Sequence, residues 1–161
     1  MKPVRLQWLA HSLILGGIFL MAIWPLHPLV LARWYVADGT RRMNQIQRDA
    51  GASSEAQYAQ ALQAGQAFQT ALRWDPLNAR AYAGLAEIYR MWGDANSAAR
   101  ALSRACALAP RDVALLVRLG DAFRDAGQTE LATATYTRVL AVQPNNAAAA
   151  QALEALKATT P

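Results

Sequence analysis

Three prolines, Pro76, Pro110 and Pro144, follow one another at intervals of thirty-four residues, and the residues between them repeat with the same period. A fixed period of this length is typical of a tandem array, in which each unit buries its apolar face against its neighbours. This spacing predicts a stack of similar helical units. Such stacks usually provide binding surfaces, so we expect binding and not catalysis.

The two middle segments match one another position by position. The shared positions carry large apolar, small or turn residues: Tyr82, Leu85, Ala86, Tyr89, Gly93, Ala98, Leu102, Ala105 and Pro110 in one segment, and Leu116, Leu119, Gly120, Phe123, Gly127, Ala132, Tyr136, Val139 and Pro144 in the next. Apolar residues at i, i+3, i+4 and i+7 on both sides of the glycine predict two amphipathic helices joined by a turn at Gly93 or Gly127. Each proline then ends the second helix.

At these residues the chain resembles the tetratricopeptide repeat family. The resemblance implies a short all-α solenoid of helix–turn–helix repeats at 79–112 and 113–146. These repeats would lie in a domain at 53–161, together with a half-repeat at 53–78 and a solvent-facing capping helix at 147–158.

The first unit departs from the pattern of the family. Gly51 and Pro76 are twenty-five residues apart, whereas the glycine and proline of each later repeat are seventeen apart. The helix that starts near Ser53 or Ser54 is therefore about two turns too long. The residues that would occupy the core of its partner helix cannot pack, and they are Arg48, Gly51, Ala52 and Glu55. We expect a differently arranged first helix.

An uncharged run from Leu6 to Trp24 dominates the first fifty residues. Nineteen residues at 1.5 Å each reach about 28 Å, close to the ~30 Å of bilayer hydrocarbon. The sequence predicts a transmembrane anchor at 1–27, with its span at about 6–24, and a basic, aromatic juxtamembrane helix at 28–52. The predicted fold class is all-α, with an N-terminal transmembrane helix ahead of the solenoid.

The arginines of the juxtamembrane helix, Arg33, Arg41 and Arg42, are expected near lipid head groups. Arg5 abuts the apolar run directly, which favours a cytoplasmic amino terminus and repeats on the extracytoplasmic side. Because alanine is abundant and arginine prevails over lysine, the membrane would be the inner membrane of a bacterium. Within the span, Ser12, Gly16 and Gly17 predict close packing against another transmembrane helix.

A cleavable signal peptide is the alternative to an anchor. Val30 and Ala32 supply small residues at alternate positions, as a signal peptidase requires. In that case the protein would be an exported soluble adaptor, released after Ala32.

The net charge of +5 lies mainly in the first segment. Residues 1–52 hold six Lys/Arg against two Asp/Glu, and residues 53–161 hold ten against nine. A nucleic-acid-binding protein should have a basic surface on its folded domain. The charges of residues 53–161 are nearly balanced, so we do not expect nucleic acid as a partner.

The repeats lack the residues and motifs that catalysis usually requires. Both histidines, His11 and His27, precede them, and the only cysteine, Cys106, follows a small core position. We find no Gly-rich phosphate loop and no metal-ligand spacing, so the sequence predicts neither an enzyme, nor a metal site, nor a cofactor. One alternative stays open, a small cofactor-bearing subunit in which His11 ligates haem or chlorophyll.

In the tetratricopeptide repeat family, the first helix of each repeat lines a concave groove that holds a peptide or a partner helix. The groove positions map to Arg80, Ala83, Glu87, Arg90 and Met91 in one repeat, and to Ala114, Val117, Asp121, Arg124 and Asp125 in the next. The Lys/Asn clamp that some relatives use for a terminal carboxylate is absent. The convex side or the long helix from Ser54 to Trp74 is the alternative binding surface.

Taken together, these features predict a membrane-anchored scaffold for protein–protein interaction. It would be an accessory or assembly subunit of a larger membrane complex, of respiratory, photosynthetic or secretion type. Its partners would be other membrane subunits, through the span, and a peptide or protein, through the repeats.

Overall fold

The computed structural model describes residues 27–49 and 53–159. These residues form seven α-helices in antiparallel succession. The helices are α1 His27–Arg48, α2 Ser54–Trp74, α3 Ala79–Met91, α4 Ala95–Leu108, α5 Val113–Asp125, α6 Thr129–Val142 and α7 Ala147–Thr159.

Local sequence signals explain where the repeat helices begin and turn. The side chains of Asn78, Asp94 and Asp112 accept hydrogen bonds from the amides of Ala81, Ser97 and Leu115 at the starts of α3, α4 and α5. The two helices of each repeat are joined at glycines with positive φ, +74° at Gly93 and +72° at Gly127. The turns predicted at these two glycines are therefore confirmed.

The helices pack in the pairs α1/α2, α3/α4 and α5/α6, and α7 lies against α6. Small residues at Ala86, Ala98 and Gly120 let neighbouring helices approach, and the large Tyr136 and Leu116 fill the space around them. Tyr136 and Leu116 have no exposed surface. The positions that recur every thirty-four residues thus form the core, although the aromatic rings of Tyr82, Tyr89 and Phe123 stay half-buried at its edge.

The first pair is longer than the others. α1 has 22 residues and α2 has 21, against 14 each in α4 and α6. The excess length predicted for the helix after Ser53 is therefore present, and its partner is α1. α1 buries Ala32, Met43 and Ile46 and so belongs to the same array of helices.

One aromatic ring joins the first two pairs. A Cβ placed on Gly39 of α1 would lie 2.8 Å from the ring of Phe68, and one on Gly84 of α3 would lie 2.4 Å from it. The ring therefore occupies the space that side chains at both glycines would need. Glycine lowers helix propensity, yet α1 runs unbroken through Gly39 because the missing side chain admits Phe68.

The predicted transmembrane helix requires a correction. Within residues 27–49 and 53–159, no helix combines the length and the apolar character that a bilayer crossing needs. α1 is long enough but contains the charged residues Arg33, Asp38, Arg41, Arg42 and Arg48, and α2 contains the polar residues Gln57, Gln60, Gln63, Gln66 and Gln69.

Over these residues the structure supports an all-α repeat array without such a span, so the predicted fold class was wrong in that part. The inner-membrane location, with the repeats on its extracytoplasmic side, was inferred from the same span and is corrected with it. The segment 6–24 itself, with Ser12, Gly16, Gly17 and His11, lies outside the described residues.

Candidate protein-binding groove

A groove runs across α1, α3 and α5, the first helices of three successive pairs. It consists of two adjoining cavities of about 470 Å³ and about 310 Å³, which share Glu87 and Arg118. The larger cavity extends to Thr40 and Met43 on α1, and the smaller reaches Asp125 on α5. The groove therefore passes over all three helices.

Ion pairs hold the charged side chains at the centre of the groove. Glu87 accepts hydrogen bonds from Arg90, one turn along α3, and from the Nη2 atom of Arg118 on α5, at 3.1 Å. The same Nη2 atom donates to the carbonyl oxygen of Ala83 at 3.0 Å. The hydrogen bond from Arg90 lowers the pKa of Glu87, burial opposes this change, and the charges of Arg90 and Arg118 reinforce it.

A second cluster lies at the α5 end. Arg124 contacts the carboxylates of Asp121 at 3.2 Å and Asp125 at 3.0 Å. Asp121 also accepts a hydrogen bond of 2.7 Å from the hydroxyl of Tyr136 on α6. Burial and this hydrogen bond raise the pKa of the Tyr136 phenol above its usual value. Asp121 therefore contacts both the guanidinium of Arg124 and the hydroxyl of the buried Tyr136.

The predicted groove residues do not all line these cavities. The smaller cavity includes Glu87, Arg90, Asp121, Arg124 and Asp125, and the larger includes Arg80, Ala83 and Glu87. Met91 and Ala114 are exposed outside both cavities, and Val117 packs against the core. The assignment of these positions to partner binding stays a prediction.

Sequence reasoning missed Arg118 and the α1 wall of the groove. Arg118 occupies the position that Gly84 has one repeat earlier, and this departure between two matched segments was the available signal. Thr40, Met43, Asn44 and Gln47 of α1 also line the groove. No signal identified them, because α1 lies outside the thirty-four-residue pattern.

The arginines expected near lipid head groups have other surroundings. Arg41 and Arg42 both contact Asp38, at 3.7 Å and 2.8 Å, and Arg42 also donates to Gln63 of α2. Arg33 lines a further cavity between α1 and α3. The structure therefore offers no support for lipid binding at these positions.

Cys106 is 3% exposed, and burial raises the pKa of its thiol. Across the described part of the chain, His, Cys, Asp and Glu nowhere gather into a group that could hold a metal ion. His11 as a cofactor ligand and the exclusion of nucleic acid stay predictions.

A family model described as tetratricopeptide repeat matches residues 67–100, and another with the same description matches residues 113–146. Both matched segments are tetratricopeptide repeats. The second match has the same limits as the repeat that the resemblance implied at 113–146. The first match begins inside α2, one helix before the repeat expected at 79–112.

Among curated proteins, Superkiller protein 3 of Schizosaccharomyces pombe is similar to this chain, with 37% identity over 76 residues. The match covers 47% of this chain and 6% of that protein, so only a short stretch of the relative is shared.

Solved structures show the same fold. The tetratricopeptide domain of Arabidopsis OM64 aligns over 81% of this chain and 98% of its own, with a TM-score of 0.67 and 17% identity. The first such domain of Spaghetti (RPAP3), bound to the HSP90 peptide SRMEEVD, aligns over 79% of this chain and 90% of its own, with a TM-score of 0.66 and 21% identity. At these identities the likeness concerns the fold alone.

Proposed function

We propose that this protein is a docking module whose groove over α1, α3 and α5 holds a short extended segment of a partner protein. Repeat arrays of this family are protein-interaction scaffolds, and the related Spaghetti domain is known with a bound peptide. The module would act as an accessory or assembly subunit of a larger protein complex. We assign no reaction to it.

One observation carries the proposal, namely the ion-paired lining of the groove. Arg118 joins α5 to α3 through Glu87, and Arg124 is held by Asp121 and Asp125. Side chains that are already held lose little conformational freedom when a partner binds, which favours binding.

The size of the groove suits a short segment. Helix axes lie about 8–10 Å apart in packed helices, so three helices side by side span roughly 20 Å. An extended chain advances about 3.3 Å per residue, and the groove would hold about six residues. Its partner is therefore expected to contribute a linear segment.

The test compares two charge reversals in the tagged full chain. Arg90→Glu with Arg124→Glu alters the groove, and Arg100→Glu with Arg104→Glu alters exposed arginines of α4 that line a separate surface cavity. Proteins captured from the source cells by each variant are identified by mass spectrometry. We expect the groove variant to lose a partner that the wild type and the α4 variant retain.

Unfolding of the reversed variant would imitate a loss of binding. The milder pair Arg90→Gln with Arg124→Gln and a circular-dichroism melting curve of each variant control for this effect. Retention of every partner by folded groove variants would contradict the proposal, and α2 would then become the candidate surface.

A further inference from the structure

The arginines along the groove fall into two groups. Arg90, Arg118 and Arg124 each pair with a carboxylate of the groove itself. Arg33 on α1 and Arg80 on α3 are exposed and have no ion pair within residues 27–49 and 53–159. At this end of the groove, no acidic side chain of the described residues compensates the positive charge.

Both unpaired arginines line one cavity of about 600 Å³ between α1 and α3. Its other lining residues are Val36, Ala37, Thr40 and Asn78, and none of them is acidic. A cavity with two guanidinium groups and no carboxylate in its lining has a positive potential that attracts an anionic group.

The nearest carboxylates in sequence are engaged with other groups. Asp38 of α1 pairs with Arg41 and Arg42. Asp75, which precedes α3, accepts hydrogen bonds from the backbone amide of Leu77 and the side-chain amide of Asn78. Neither residue lines the cavity, and no carboxylate of the described residues forms an ion pair with Arg33 or Arg80.

We propose that this cavity binds the acidic side chains of the docked segment, a refinement that rests on the proposed function. A guanidinium group donates two parallel hydrogen bonds to a carboxylate, and arginines on two helices can hold adjacent acidic residues. At the other end of the groove, the acidic residues already neutralise the arginines. The segment is therefore oriented with its acidic end between α1 and α3 and its uncharged end over α5.

The affinity test uses the full chain and two fluorescein-labelled peptides. One peptide has a run of glutamates at one end and is otherwise glycine and serine, and the other has glutamines in place of the glutamates. At about 50 mM salt, we expect the glutamate peptide to bind at least about tenfold more tightly, and near 500 mM salt this advantage should be lost.

Substitutions assign the effect to particular residues. Arg33→Gln and Arg80→Gln should each weaken binding of the glutamate peptide several-fold, and together they should abolish its advantage. Arg104→Gln removes an exposed arginine from α4 and should change nothing. Equal binding of the two peptides, an advantage that survives the double substitution, or an equal loss in Arg104→Gln would overturn the proposal.

A nitroxide on the peptide tests the orientation. Placed at the glutamate end, it should broaden the amide resonances of Arg33 and Arg80, and at the other end those of Arg124 and Asp125. The reverse pattern would overturn the proposal. The charge reversal at Arg90 and Arg124 tests docking in the groove independently, so docking can hold even if the acidic subsite fails.

Discussion

The guanidinium of Arg118 on α5 lies 3.1 Å from the carboxylate of Glu87 on α3 and also donates to the carbonyl oxygen of Ala83. One side chain thus joins the first helices of two successive repeats at the centre of the groove. The same contact supports the fold and positions the groove.

Replacing Arg118 by alanine should lower the free energy of unfolding by about 1 kcal/mol, because the side chain is part-exposed and its ion pair is partly screened. The control is Arg104→Ala, which removes an exposed arginine with no ion pair among the described residues and should stay close to wild type. Urea unfolding measures both variants. Equal stability of the two would show that the Arg118 contacts contribute nothing.

Gly84→Ala should destabilise the protein by about 1–3 kcal/mol, because the added Cβ would lie 2.4 Å from the Phe68 ring and force a shift. Gly65→Ala is the matched control, since its Cβ would meet Ile88 at an ordinary 3.8 Å. In a helix interior that change should stabilise by about 0.5–1 kcal/mol. Thermal unfolding of both variants shows whether each substitution raises or lowers the stability.

Phe68→Leu should reduce the cost of Gly84→Ala, because a smaller side chain leaves room for the new methyl group. The double variant should therefore be more stable than the sum of the two single effects predicts. Simple additivity would mean that the ring and Gly84 do not share this space.

The lowered pKa of Glu87 predicts that the protein becomes less stable as the pH falls into the acidic range. A carboxyl group with a depressed pKa in the folded state contributes stability above its usual pKa of 4.5, and this contribution is lost as the pH falls through the folded value. Glu87→Gln should be less stable than wild type at neutral pH, and the difference should shrink below pH 4.5. Urea midpoints across pH measure it, and a constant difference would contradict the assignment.

Tyr136→Phe removes a buried donor but leaves Asp121 paired with Arg124. We expect a loss of about 1 kcal/mol at neutral pH. Because the folded state raises the pKa of Tyr136, its stabilising effect is complete below the usual value of 10.0 and is lost as the pH rises above it. The wild type should therefore lose more stability than the variant between pH 10 and the folded pKa, as measured by alkaline unfolding.

The repeat period, the turns and the core could be read from the sequence because their causes are local and recur. Gly93 and Gly127 adopt positive φ for the same reason in each repeat, and Ala86 and Gly120 stand at equivalent close contacts. Repetition allows one segment to be checked against the next. The groove positions, among them Glu87 and Asp121, came from the resemblance to the family. Both residues line the smaller cavity, and their role in binding stays a prediction.

Only the tertiary structure decided the role of α1 and the pairing of the groove charges. The apolar residues of α1, taken alone, are compatible with a membrane surface. Met43 and Ile46 are buried here because the long α2 helix packs along α1, whereas Leu29, Val30 and Trp34 stay exposed. Gly39 lowers helix propensity locally, but Phe68 fills the space it leaves. Arg118 and Glu87 are thirty-one residues apart, so their contact depends on how the helices stack. Local preferences act within a few residues, whereas these features depend on surfaces that meet only when the chain has folded.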